Sequence, residues 1–212
     1  RIMKTQSRRN FLKNSLIATA AGVFSNKVLA QSPTPSEVEG PFYPITPQQY
    51  KDFDLTRVEG KSGRAKGEII HVKGQVVNQN LEPIEGVTID LWQANSFGKY
   101  HHPHDNSDAP VDEHFQSWAI IKSGEQGRFN FISVMPGAYG HPGFQRTPHI
   151  HLKISKLGYE PLLTQMYFPD HPLNKRDGLF RRRTREEQKL MTATKISEQP
   201  LTFEYRIILE AV

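Results

Sequence analysis

The sequence predicts an all-β protein: an antiparallel β-sandwich forming a single domain, preceded by an extended N-terminal arm. Three observations carry this expectation. Short runs rich in β-branched and aromatic residues recur from residue 68 to the C-terminus, separated by turns containing Gly, Pro and Asn. The run 87–92 alternates apolar and polar residues with the period of two expected of a half-buried strand. Only one stretch, roughly 184–194 (TREEQKLMTAT), reads as a helix, and the 212 residues show no internal repeat or second domain.

In chain order, residues 1–30 stand apart. SRRNFLK (7–13) places two adjacent arginines before a short, weakly apolar stretch, LIATAAGVF (16–24), and Ala30 follows as a small-residue cleavage position. This order of features resembles a twin-arginine export signal, which predicts a periplasmic or secreted protein; Met3 is the candidate initiator. The apolar stretch is too short for a permanent membrane anchor, and none is expected. The formal net charge of +5 misleads, because residues 1–30 hold six basic residues and no acid. Residues 31–212 therefore carry −1, and nucleic acid is not an expected partner. Arg181, Arg182 and Arg183 adjoin Glu186 and Glu187 and read as a solvated helix face.

Residues 31–67 form the expected arm: rich in Pro, Gly and charge, with one conspicuous block, EGPFYP (39–44). The sandwich domain, 68–212, opens with EIIHVKGQVVN (68–78). In VTIDLWQA (87–94), Val87, Ile89 and Leu91 alternate with Thr88, Asp90 and Trp92. SWAIIKS (117–123) and RFNFISV (128–134) flank the Gly-containing turn GEQG, which predicts a hairpin. HIHLKIS (149–155), LLTQMYF (162–168) and LTFEYRIIL (201–209) complete the strands.

With no cysteine, disulfides and thiolate metal sites are excluded, so a metal would need His, Tyr or carboxylate ligands. Seven of the nine histidines lie between residues 101 and 151. On a strand, His149, His151 and Lys153 share one face while Ile150, Leu152 and Ile154 share the other. The apolar set packs inward, and the two imidazoles stand side by side, either as a chelating pair or as a polar surface. Two loops supply candidate partners: GKYHHPHD (98–105) with Tyr100, and MPGAYGHPG (135–143) with Tyr139. A phenol titrates near 10, so Tyr ligation points to a hard, highly charged ion such as Fe(III) rather than zinc. The alternative is that both tyrosines pack their rings in the loops.

The segments VKGQVVNQNLEPIEGVTIDLWQANSFGKYHHPHD (72–105), MPGAYG (135–140), RTPHIHLKIS (146–155) and TQMYF (164–168) occur in this order. Together they resemble the intradiol ring-cleavage dioxygenases, most of all the iron-bearing β chain of the protocatechuate 3,4-dioxygenase type, over about residues 39–209. The resemblance implies a non-haem Fe(III) centre with Tyr100, Tyr139, His149 and His151 as ligands. It places Arg146 beside the ring being cleaved, Gln165 in a supporting, substrate-facing position, and Tyr139 as the ligand that substrate displaces. Gly40 and Pro41 become pocket-lining candidates, and His141 stands near the pocket edge. The implied reaction takes a small aromatic diol and O2 and opens the ring between its two hydroxyl-bearing carbons, giving a muconate-type diacid.

Departures bear on the substrate. GHPGFQ (140–145) is short and lacks the tryptophan associated with protocatechuate enzymes, and no second domain completes the pocket. Protocatechuate, catechol and hydroxyquinol all remain open. His101, His102 and His104 are expected at the pocket rim or surface, and a homo-oligomer is the expected assembly. The competing reading is a non-catalytic periplasmic β-sandwich that binds metal or aromatics through its His-rich face.

Overall fold

The computed structural model describes residues 30–212; the candidate export segment lies, but for its last residue, outside them. The described chain forms β1 (Ile69–Asn78), β2 (Thr88–Trp92), β3 (Trp118–Lys122), β4 (Arg128–Val134), β5 (Tyr139–His141), β6 (Phe144–Arg146), β7 (His149–Ser155) and β8 (Leu162–Tyr167). Then follow the short helices α1 (Gly178–Arg181) and α2 (Arg185–Met191), and strands β9 (Thr194–Glu198) and β10 (Leu201–Leu209).

Two four-stranded sheets, ordered β4-β1-β10-β9 and β3-β2-β7-β8, face each other, with β5 and β6 paired apart from them. Alternation builds the core. Ile70, Val72 and Val76 of β1, Phe129 and Phe131 of β4, and Phe203, Tyr205, Ile207 and Leu209 of β10 point into it from one sheet. Ile89 and Leu91 of β2, Ile150, Leu152 and Ile154 of β7, and Met166 of β8 meet them from the other. The pairings are antiparallel with one exception: β1 runs parallel to β10, His71 opposite Thr202 through Asn78 opposite Leu209. The whole sandwich separates these two strands along the chain, so the long connection that parallel pairing requires is already present.

The expected hairpin of 117–123 with 128–134 does not form. β3 pairs with β2 and β4 with β1, so the GEQG connection carries the chain from one sheet to the other. Gln126 (φ 57°) and Gly127 (φ 67°) both take left-handed backbone in a single 3-10 turn, which redirects the chain across the layer gap instead of back along the same sheet. The stretch between Tyr139 and Arg146 is a hairpin rather than a loop, with Tyr139 opposite Arg146. Helix α2 starts where expected, on a capping box: Thr184 Oγ1 accepts from the Glu187 N–H and the Glu187 carboxylate accepts from the Thr184 N–H. It stops at Met191 because Thr194 already joins β9. Arg183 does not belong to a solvated face: its guanidinium pairs with the buried Glu37 carboxylate of the arm at 3.0 Å.

The arm is a belt. Thr34 exchanges hydrogen bonds with Ile208, the Glu37 N–H donates to the Leu163 carbonyl, and Gln165 Nε2 donates to the Val38 carbonyl. Further on, the Ile120 N–H donates to the Lys51 carbonyl, and Ile132 bonds the backbone on either side of Asp54. Three of the four outer strands, β8, β3 and β4, are thereby bonded by the arm, which blunts edges that invite intermolecular pairing. Leu55 inserts into the core, fully buried.

A Cβ at Gly127 would lie 2.2 Å from the Val76 carbonyl oxygen, on a backbone that disfavours L side chains. Gly127→Ala is therefore expected to lower unfolding stability by about 1–3 kcal/mol in urea titration.

Candidate metal centre

The strand β7 places His149 and His151 on the outer face of its sheet, opposite the core residues Ile150 and Leu152. Both imidazoles are nonetheless only 2% exposed. Register explains part of this: His151 sits between Trp92 of β2 and Gln165 of β8, and His149 faces Tyr167. The arm residues Phe42 and Tyr43 and the two tyrosine loops cover the rest.

Those loops are locked to each other. Asn95 Oδ1 accepts from the Phe97 and Lys99 N–H groups, and Gln93 ties the strand end to Val134 and Ser133. The Gly137 N–H donates to the Asn95 carbonyl at 2.9 Å. Gly98 (φ 82°) lies so close to the second loop that a Cβ would stand 2.2 Å from the Ala138 carbonyl oxygen. Asp105 accepts from the Tyr100 N–H and pairs with Lys99, closing the first loop. The WQAN…GKY pattern is thus a loop-building device as well as a source of Tyr100.

The result is a convergence of four donor atoms. Tyr100 Oη lies 2.9 Å from His151 Nε2, the two Nε2 atoms are 3.2 Å apart, and Tyr139 Oη is 3.5 Å from His149 Nε2. Ligands held about 2.0–2.1 Å from one ion stand roughly 2.9–3.4 Å from each other, so the set fits a single metal ion. The His149 Nδ1–H donates to the Thr147 carbonyl at 2.7 Å, which leaves the Nε2 lone pair facing the centre. His151 is held differently. Its ring stacks on Trp92, centroids 4.7 Å apart and planes 7° from parallel, while its Nδ1 is buried without a partner. Among the described residues no group of three or more His, Cys, Asp or Glu could hold a metal; here two phenols complete the imidazole pair.

The electrostatics match a site made for a cation. Burial, with help from Arg146, brings His149 down to about 3. Burial, then His149 and Arg146, holds His151 well below its ordinary range. Both rings are neutral at physiological pH, with lone pairs free. Burial and then the neighbouring Tyr139 raise Tyr100 well above 10. Burial raises Tyr139 too, though Arg146 and the Tyr100 hydroxyl pull it down. A multivalent cation among these donors reverses the burial penalty on the phenolates.

Arg146 is 4% exposed and held on two sides. Its Nε donates to Asp177 at 2.8 Å, and its Nη2 donates to Gln165 Oε1 and, at 3.2 Å, to the Tyr167 hydroxyl. Burial works against its charge, but Tyr139, Asp177 and Tyr167 outweigh this and raise its pKa. Asp177, fully buried, also accepts from the N–H groups of Thr147, Leu179 and Phe180, so it caps α1 and anchors Arg146 at once. Sequence reasoning missed Asp177, Trp92, Thr147, Tyr167 and Phe42. The sole local signal was an Asp positioned to cap a helix before GLF.

The remaining candidates divide. Gly40 lies above His151, with space for a Cβ 3.6 Å from its Cε1, and Pro41 is exposed beside it. Gln165 joins the Arg146 cluster. His141 is exposed near the tip of the β5–β6 hairpin, bonded to its neighbour Pro142 and outside the donor set. His101 and His104 are exposed, whereas His102 is buried against Phe42.

A family model described as "Dioxygenase" matches residues 38–211. The chain is 38% identical over 133 residues to the protocatechuate 3,4-dioxygenase beta chain of Burkholderia cepacia, covering 61% of this chain and 57% of that one. It is 30% identical over 176 residues to a chlorocatechol 1,2-dioxygenase of Cupriavidus pinatubonensis, covering 74% and 61%. The matches thus span less than two thirds of the length of these curated relatives. Among solved structures, the dioxygenase domain of a dioxygenase carbohydrate-binding protein fusion from Streptomyces sp. SirexAA-E superposes with a TM-score of 0.65 at 27% identity, covering 85% of this chain and all of that one. With a family match running from the arm through the last strand, around a buried pair of imidazoles and a pair of phenols, the chain belongs to the intradiol ring-cleavage dioxygenase family.

Proposed function

We propose that the protein is a non-haem Fe(III) intradiol dioxygenase, exported as its N-terminal residues suggest, that uses O2 to cleave a catechol-type ring between its two hydroxyl-bearing carbons, giving a muconate-type diacid. The observation that carries this is the convergence of two phenol oxygens and two imidazole Nε2 atoms in one buried cluster. Tyr100, Tyr139, His149 and His151 would hold the iron. Bound there, ferric iron supplies Lewis-acid activation of a chelating diol toward O2.

The chain's own groups divide the remaining work. Thr147 fixes the tautomer of His149. Tyr100 is deeply buried and hydrogen-bonded near His151, which suits a permanent ligand. Tyr139 is half-buried and stands farther from its imidazole, at 3.5 Å, which suits a ligand that yields to substrate. With iron bound, the Tyr139 side chain would be a phenolate, and that oxygen would be the base available to take up a proton from a diol, with Arg146 as its cross-strand neighbour. Arg146 brings a fixed positive charge into a site from which water is largely excluded, where it stabilises negative charge developing on the ring. Asp177, Gln165 and Tyr167 hold that guanidinium in place. Phe42, centroid 4.8 Å from Tyr100 and 6.2 Å from Tyr139, offers an aromatic wall.

Protein loaded with ferric iron is expected to be wine-red from tyrosinate-to-iron charge transfer, and Tyr139→Phe to shift that visible band. A colourless protein fully occupied by zinc would overturn the reading. Anaerobic addition of catechol, protocatechuate and hydroxyquinol, with the band monitored, identifies the substrate as the diol that perturbs it at the lowest concentration. Arg146→Gln is expected to lower kcat about 100- to 1000-fold in steady-state assay while the iron band persists. Asp177→Ala leaves Arg146 buried and unpaired, so chemical denaturation should show a loss of about 3–5 kcal/mol.

A further inference from the structure

The two histidines of the centre are oriented by different means. His149 follows the usual pattern for a metal-binding imidazole: its second nitrogen donates to a carbonyl, which fixes the tautomer, the ring plane and the basicity of the other nitrogen. His151 lacks this support. Its Nδ1 is one of three buried side-chain polar atoms without a partner among the described residues, and another is the Nε1 of Trp92. A buried donor left unpaired is costly, so some other interaction must account for a ring held at 2% exposure.

The stack on Trp92 is that interaction. The two residues are cross-strand partners on β2 and β7, and their rings stack nearly parallel, planes 7° apart and centroids 4.7 Å apart. Trp92 is in turn held edge-on by Tyr43 of the arm, centroids 4.9 Å apart at 88°. Tyr43 is itself fixed at two points: its hydroxyl donates to Asp90 at 2.8 Å, and the Lys153 ammonium, which also pairs with Glu39, lies 3.7 Å over its ring. Asp90 also accepts from Trp118 Nε1 at 2.7 Å.

We propose that Trp92 is a positioning residue for the metal centre, its indole face replacing the missing hydrogen bond in setting the plane of His151, and that Tyr43 couples the arm to this ligand by bracing Trp92. The proposal rests on the reading of the four donors as an iron site. It makes His151 the more weakly supported of the two imidazoles, dependent on a flat aromatic surface rather than on a hydrogen bond at Nδ1.

The test compares Trp92→Phe with Trp92→Leu, two residues that leave similar space but differ in having a flat ring. Three quantities are measured: stability of the metal-free protein, ferric affinity by chelator competition, and position of the visible band. The expected result is that Trp92→Leu binds ferric iron about 10- to 100-fold more weakly, with a shifted band, and that Trp92→Phe recovers most of the affinity and the wild-type band at comparable metal-free stability. Equal losses in both variants, or wild-type affinity and band in Trp92→Leu, would overturn the proposal. If Trp92→Leu does not fold, Tyr43→Leu, which removes the brace from a partly exposed position, should weaken ferric binding at least threefold; unchanged affinity there would also overturn it. Wild-type protein that takes up no ferric iron would instead count against the iron reading itself, which separates the two failures.

Discussion

A β-sandwich buries one face of each sheet, but this one must bury part of a second face as well. The outer surface of β2, β7 and β8 carries two imidazoles, a glutamine and two aromatic rings that are withdrawn from water. Desolvating polar groups is unfavourable unless each finds a partner; His149 and Gln165 meet that condition, whereas His151 Nδ1 and Trp92 Nε1 do not. Phe42 and Tyr43 of the arm, Tyr100 of the first loop and Tyr139 at the start of the β5–β6 hairpin converge on this face.

The arm shows how one segment meets several demands. It satisfies backbone groups along three sheet edges, inserts Leu55 into the core, and lays Phe42 and Tyr43 over the donor cluster. Its fixed points link distant parts of the chain: Glu37 reaches Arg183 beside α2, Val38 reaches Gln165, and Glu39 reaches Lys153. A segment with little secondary structure of its own is thereby as firmly placed as a strand, because its hydrogen bonds and ion pairs go to rigid elements.

Charge is distributed economically around the donors. Both imidazoles are neutral, and burial keeps both phenols protonated until a cation arrives. Arg146 is the buried cation beside them, and Asp177 balances it from the side. Four donors reach the Asp177 carboxylate, which is what allows a full ion pair to persist without solvent.

The sequence by itself determined seven of the ten strands, the inward faces of β2 and β7, and, through its motifs, the four candidate donors, but not β5, β6 or β9. Alternation in β2 and β7 is a local property, and H-x-H on a strand can only place its imidazoles on one face. The two tyrosine loops and Arg146 were recognisable because their motifs are contiguous. What lay beyond the sequence was anything that depends on how layers meet. The GEQG turn looked like a hairpin because local composition does not say whether a left-handed turn leads back along a sheet or across to its partner. Asp177, 31 residues from Arg146, carried a local sign of its capping role but none of its pairing with Arg146, and Trp92, 59 residues from His151, carried no local sign of its stack on that ring. Those roles arise from strand register and from burial, and only tertiary structure decides either, since both are relations between segments far apart in the chain.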